Sequence, residues 1–149
     1  MKEIERKFLL QTDEWKNAPI KGRVEMKQAY LFKEQKQSLR IRLATNRAFL
    51  TIKLGQGLTR SEFEYEIPYE EAQALIEEAK LPCLHKTRHY VQAGADEWEV
   101  DVFHGALEGL VIAEMELEEE TQALALPNWI GPEVTDDPAY LNANLIDRL

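Results

Sequence analysis

Little in this chain could serve as a staple, an anchor or a hinge. Cys83 is the only cysteine among 149 residues, so an internal disulfide framework is excluded and a reducing, cytoplasmic setting is expected. The longest apolar runs are only a few residues, too short for a membrane span. No basic-then-apolar leader precedes the first strand, so export is not expected. Seven glycines and six prolines are scattered along the chain and form no linker. A single domain over 1–149 is therefore expected, large enough to bury a core. Basic residues are in deficit, with 18 Lys and Arg against 27 Asp and Glu for a net charge of −9. That balance argues against nucleic-acid or membrane partners, which need a basic surface. A small polyanion remains compatible, because local sign matters more than the total. What is present is 44% apolar and 30% charged, a folded globular composition.

Polar and apolar residues alternate over stretches of roughly 2–10, 24–33, 37–44, 47–54, 60–68, 83–93, 96–104 and 110–118, a pattern that predicts about eight strands. The connections are short and polar, as hairpins require. Gly55-Gln56-Gly57 joins two strands and reads as a turn, not a dinucleotide fingerprint. Between the fifth and sixth strands, Ala72, Leu75, Ile76 and Ala79 fall on one helical face, with Pro68 before and Pro82 after. A short helix is expected over 119–125. A last one should start with Asp137 as cap and Pro138 at the first turn, anchored by Leu141 and Leu145. The class is mainly β with some α (α+β). The antiparallel strands either close into an eight-stranded barrel or pack as two sheets, with a few peripheral helices.

Seven of the eight strands present a charged face backed by an apolar one, because successive side chains alternate. Glu3, Glu5 and Lys7 share a face, as do Arg40 and Arg42; Lys53 follows on the next strand, then Glu62, Glu64 and Glu66. Lys86, Arg88 and Tyr90 come next, then Glu97, Glu99 and Asp101, then Glu114, Glu116 and Glu118. The second strand departs, and Gln28 with Tyr30 are assigned to its charged side. A wet outer face would also alternate, but such faces usually intersperse unlike signs, whereas these strands are nearly pure in sign. Few helices are available to cover an apolar exterior. An inverted arrangement, with charge lining a tunnel and apolar residues outside, stands as the alternative.

In such a tunnel the carboxylates would outnumber the cations, a costly state in a confined space unless protons or metal ions are taken up. Hard divalent cations prefer carboxylate oxygen. Arginine forks match phosphate and lysines act as mobile point charges. Basic walls with acidic ledges describe a metal-dependent polyphosphate site.

At these residues the chain resembles a known family. Glu3-x-Glu5-x-Lys7 is similar to the ExExK signature of the CYTH superfamily, also called triphosphate tunnel metalloenzymes. The agreement continues through Arg40-x-Arg42, Lys53, Glu62-x-Glu64-x-Glu66, Lys86-x-Arg88, Asp101 and Glu114-x-Glu116, and the tail Tyr140-x-Asn142-x-x-Leu145 resembles the small bacterial members. The resemblance implies an eight-stranded antiparallel barrel that hydrolyses a triphosphate with Mg²⁺ or Mn²⁺, with two ions expected. It implies Glu114 and Glu116 at one ion, Glu3 and Glu5 at a second that positions the attacking water, and Glu64 and Asp101 completing the shell or orienting the cations. Lys7, Arg40, Arg42, Lys53, Lys86 and Arg88 would grip phosphate, with Glu3, Glu5, Lys53 and Lys86 as the catalytic group. The substrate is expected to be inorganic tripolyphosphate or a nucleoside triphosphate. One branch of the family cyclises ATP to cyclic AMP, and a binding module without turnover would use the same residues. Some members supply a further lysine from the C-terminal segment, where this chain has Ala143 and Asn144.

Other residues receive plainer readings. His85 and His89 would lie roughly 13 Å apart on a strand, too far for one ion. His104 and Cys83 have no partners in the pattern, and Glu119 and Glu120 suit a helix start. Arg6 lies on the apolar face and should pair outside the tunnel or at a subunit contact. Phe63, Tyr65, Trp98 and Val102 fall on the exterior, where helices or a second copy in a homodimer would cover them.

Overall fold

The alternation predicted above becomes a closed barrel. The computed structural model describes residues 1–149. Its strands are β1 (Lys2–Leu10), β2 (Ile20–Glu34), β3 (Gln37–Ala44), β4 (Arg47–Leu54), β5 (Thr59–Ile67), β6 (Leu84–Ala93), β7 (Asp96–Phe103), β8 (Val111–Leu117) and β9 (Ile130–Glu133), with helices α1 (Tyr69–Glu78) and α2 (Asn142–Leu145). The order is β5-β4-β3-β2-β6-β7-β8-β1, and β1 pairs back to β5 through Lys2↔Ser61, Glu3↔Arg60 and Ile4↔Thr59. Every pairing is antiparallel. Closure removes the open edges that a flat sheet of this size would carry. No helix is long and apolar enough to cross a membrane.

The apolar core sits largely outside the barrel wall. Phe8, Trp98, Val100, Ala113, Met115 and Leu117 point outward and are roofed by Trp15, Trp129 and Ile130. Ala29, Ile41, Leu43 and Ala48 on the opposite side are covered by Ala72 and Ile76 of α1. Each roof removes apolar surface from water at roughly 25 cal/mol per Å², which replaces the barrel interior as the source of stability. Phe8, Trp98 and Trp129 also meet edge-to-face, with centroids 5.6 and 5.8 Å apart. Trp98 is thus covered within the chain, whereas Phe63 and Tyr65 stay exposed.

Five features differ from the sequence reading, the last of them in the tail. β2 starts four residues earlier than expected, because Ile20–Arg23 are largely exposed and carry no apolar alternation. Register shifts near Ile20/Gly22 and Tyr30/Phe32 let this 15-residue strand bend around the barrel. The stretch 119–125 forms turns, not a helix; the Glu118 N–H donates to Gln122 Oε1 at 2.8 Å, and Pro127 limits the room for regular structure. A one-turn 3₁₀ segment, Glu14–Asn17, carries Trp15 and had no sequence signal.

The fourth difference is β9, an extra strand that lies beside β1 and beyond β5. A Cβ on Gly131 would stand 2.9 Å from the Leu9 carbonyl oxygen, so only glycine allows this approach. Arg6 grips it bidentately, Nε to Glu133 Oε2 at 2.9 Å and Nη2 to Oε1 at 2.7 Å. Arg6 therefore pairs outside the tunnel, within the same chain.

Beyond β9 the tail crosses one end of the barrel. Asp137 caps as expected, its Oδ1 accepting from Ala139 N at 3.0 Å. The expected single helix is broken at Leu141, which is extended (ψ 134°), into a 3₁₀ turn at Pro138–Tyr140 and the short α2. Leu145 and Ile146 then pack with Leu84, Phe103, Leu107 and Ile112. By strand alternation Leu84, Phe103 and Ile112 share the inward face of Lys86, Asp101 and Glu114. The tunnel is charged along most of its length and apolar where the tail plugs it.

Candidate active site

Alternation sends the charged face of seven of the eight barrel strands inward, and closure makes those faces converge on one cavity of about 160 Å³. β1 contributes Glu3, Glu5 and Lys7; β3 contributes Arg40 and Arg42; β4 contributes Lys53. From β5 come Arg60, Glu62 and Glu64, and from β6 to β8 come Arg88, Glu99, Glu114 and Glu116. Tyr30 of β2, Ser38 of β3 and Leu141, Asn142 and Ala143 of the tail complete the lining. Ten of the twelve residues assigned from sequence line this cavity. Lys86 and Asp101 do not; both are fully buried in the wall behind it. The inward positions Glu66 and Glu118 fall outside. Glu66 is exposed and binds Arg47 bidentately at 2.8 and 2.9 Å.

One wall, from β6 through β7 and β8 to β1, is a continuous ion network. Arg88 forks onto Asp101, Nε to Oδ1 at 2.8 Å and Nη2 to Oδ2 at 2.9 Å, and reaches Glu99 at 3.1 Å. Lys86 Nζ donates to Asp101 Oδ2 at 2.7 Å. Lys7 Nζ lies 3.1 Å from Glu114 and 3.2 Å from Glu5. Register places these groups: Arg88 opposes Asp101, Glu99 opposes Glu114, and Glu114 opposes Lys7. Both Asp101 oxygens are occupied by cations, so this carboxylate orients Arg88 and Lys86.

The facing wall is more loosely paired. Lys53 Nζ donates to Glu3 Oε1 at 3.1 Å and lies 3.5 Å from Glu62. Arg40 meets Thr51 and Glu64, while its Nε is buried with no partner. Arg42 has no carboxylate at all; its Nε donates to Gln28 Oε1 at 3.0 Å. The reason is register, since its cross-strand neighbours are Gln28 and Phe49. Burial, then Arg40 and Arg88 beside it, lower the Arg42 pKa to about 9. A half-buried cation without a counter-charge attracts an anion strongly.

The carboxylates divide by environment. Burial raises Glu114, but Lys7, Arg88 and Lys86 outweigh it and hold it well below the ordinary range. Glu99 is pushed up to about 7 by burial, with Glu114, Asp101 and Glu5 adding to the rise against Arg88. Glu5 is raised by burial and then by Glu114; Glu3 by burial and its contact with Glu62; Glu116 by burial, Glu5 and Glu3. Carboxylate oxygens of Glu5, Glu99 and Glu114 all lie within 4.8 Å of one another. Three hard oxygen donors that resist simultaneous ionisation fit a divalent cation such as Mg²⁺ or Mn²⁺.

Arg60 received no role from the sequence, although it shares the even-numbered face of Glu62 and Glu64. It stands 3.7 Å from Glu3 and lines the cavity. Glu99 was on the charged face, but strand position alone did not show that it meets Glu5 and Glu114. The histidines stay outside: His89 packs on Trp15 at 5.0 Å, and His104 Nε2 lies 2.7 Å from Thr87 Oγ1.

Comparison with known proteins agrees with this geometry. The CYTH domain model matches residues 1–148. An inorganic triphosphatase from Acetivibrio thermocellus is 44% identical over 147 residues, covering 97% of this chain and 93% of its own. An inorganic triphosphatase from Nitrosomonas europaea is 34% identical over 149 residues, covering 97% of both chains. The crystal structure of an inorganic triphosphatase superposes with a TM-score of 0.70 at 32% identity, covering 97% of this chain and 93% of that one. The chain belongs to the CYTH domain family.

Proposed function

We propose that this protein hydrolyses a linear triphosphate, inorganic tripolyphosphate in the first place, with the help of divalent metal ions. The observation that carries this reading is one confined cavity holding both a half-buried guanidinium without a carboxylate partner, Arg42, and the Glu5–Glu99–Glu114 trio. The inorganic triphosphatases at 44% and 34% identity support it.

Arg42 presents donors to phosphate oxygens without first breaking an ion pair, and Arg40, which also meets Glu64, adds positive charge beside it. Lys53 and Arg60 stand beside Glu3 on the same side and add positive charge around the chain of phosphates. Arg88, braced by Asp101, holds a fixed orientation and places charge where the leaving phosphate develops it. Lys7 keeps Glu114 ionised and ready to ligate. Glu5, Glu99 and Glu114 would hold one ion, with Glu3 and Glu116 positioned to share a second. A bound Mg²⁺ or Mn²⁺ supplies charge neutralisation and a lowered water pKa. Positioning and electrostatics then account for the rate, as phosphoryl transfer demands.

Cyclisation of ATP would need a seat for adenine. The outer vestibule, about 620 Å³, is lined by Gln35, Gln37, Gln56, Lys33 and two glycines among others, with no aromatic ring. The deciding experiment incubates the protein with Mg²⁺ and tripolyphosphate, with ATP in parallel. Phosphate release from tripolyphosphate is expected, and Glu3→Ala or Glu116→Ala should abolish it. Cyclic AMP from ATP would establish cyclisation instead, and tight binding without product would leave a binding module.

A further inference from the structure

Tyr140, Asn142 and Leu145 belong to the segment that plugs the barrel, and Asn142 differs from the other two in what it meets. Tyr140 and Leu145 join the apolar cluster of Leu84, Phe103 and Ile112. Asn142 turns the other way: its Oδ1 accepts from Lys86 Nζ at 3.2 Å. That ammonium is fully buried, donates to Asp101 at 2.7 Å and sits 5.6 Å from the centre of the Phe103 ring. Asn142 lines the cavity and Lys86 does not. The amide therefore stands between the buried ammonium and the space where a triphosphate would lie.

We infer that Asn142 is a positioning residue for Lys86, making the C-terminal segment a working part of the site. The inference rests on the triphosphatase reading. A lysine head carries three donors on a flexible stem. Asp101 fixes one donor direction, and a second acceptor is needed to stop the head rotating about it. Asn142 supplies that acceptor as a neutral group, so the cavity gains no further negative charge against a polyanion. Its delivery depends on the break at Leu141, on burial of Leu145 and Ile146, and on the Lys33–Asp147 ion pair at 2.7 Å. The neighbouring Ala143 adds no cation, so the tail acts here through an existing lysine.

Three variants test this with tripolyphosphate and Mg²⁺. Asn142→Ala should lower kcat by about 10-fold while KM stays within about 2-fold and the melting temperature stays near wild type. Asn142→Asp keeps an acceptor, so kcat should partly recover while KM rises from repulsion of the substrate. Leu145→Ala loosens the plug itself and should lower the melting temperature. If Asn142→Ala merely copies Leu145→Ala, losing stability and activity together, or leaves kcat unchanged, the inference is overturned. The Lys86 ammonium proton signal, recorded at pH about 6 because burial lowers this lysine to about 7, gives a readout independent of turnover. It should exchange slowly in the wild type and be lost in Asn142→Ala, and an unchanged signal also overturns the inference. A wild-type protein that releases no phosphate refutes the triphosphatase reading instead, and the ammonium signal still decides whether Asn142 orders Lys86.

Discussion

Replacing Glu99 by glutamine should make the metal-free protein more stable and its metal binding weaker. Glu99 titrates near 7 instead of 4.5, because burial and then Glu114, Asp101 and Glu5 oppose its charge more than Arg88 supports it. Between those two values the folded chain keeps a proton that the unfolded chain has lost. This group therefore reduces stability as pH rises from 4.5 to about 7, and the reduction persists above that. A rise of that size corresponds to about 3 kcal/mol. Glutamine removes the charge while keeping an oxygen for Arg88 Nη1, now 3.1 Å from Glu99 Oε2. With part of the gain returned through that weakened contact, the metal-free Glu99→Gln protein should melt about 5 °C above wild type at pH values well past neutral. The two proteins should converge in acid, where Glu99 is protonated anyway. Mn²⁺ binding, measured by calorimetry, should weaken by at least about 10-fold, since one of three converging carboxylates is gone. Thermal melts in chelator across the pH range, with a metal titration, check both halves. Equal melting temperatures above neutrality, or unchanged Mn²⁺ affinity, would refute the reasoning.

Arg42→Ala removes the half-buried guanidinium that has no carboxylate partner. KM for tripolyphosphate should rise roughly 100-fold while the metal-free protein loses little stability, because no ion pair is broken; steady-state kinetics and a melt in chelator decide it. Arg6→Ala frees β9 from its clasp on Glu133. Both side chains are partly exposed, so the loss should be no more than about 1 kcal/mol. It should appear as faster backbone hydrogen exchange in 130–133 with KM unchanged.

The alternation of charged and apolar residues sorted the side chains of most strands into two faces, because side chains switch sides at each residue whatever the fold, but which face turns inward was decided only by closure of the barrel. Sequence pattern also located α1 and the Asp137 cap, and set Glu3, Glu5, Lys7, Arg40, Arg42 and Lys53 on faces of the right sign. Parity is silent about which strands become neighbours. The pairing of β1 with β8 and the register of β7 on β8 decided that Glu99, not only the motif carboxylates, meets Glu5 and Glu114. Depth was equally out of reach. Lys86 and Arg88 share one face by sequence, yet only Arg88 lines the cavity, because the tail covers Lys86 with Asn142. The tail read as one helix, and the extended Leu141 that breaks it follows from burial of Leu145 and Ile146 inside the barrel. That contact joins residues more than 30 positions apart along the chain. Local pattern governs where a side chain points; long-range closure governs what it meets, since those partners are brought together only when the whole barrel has formed.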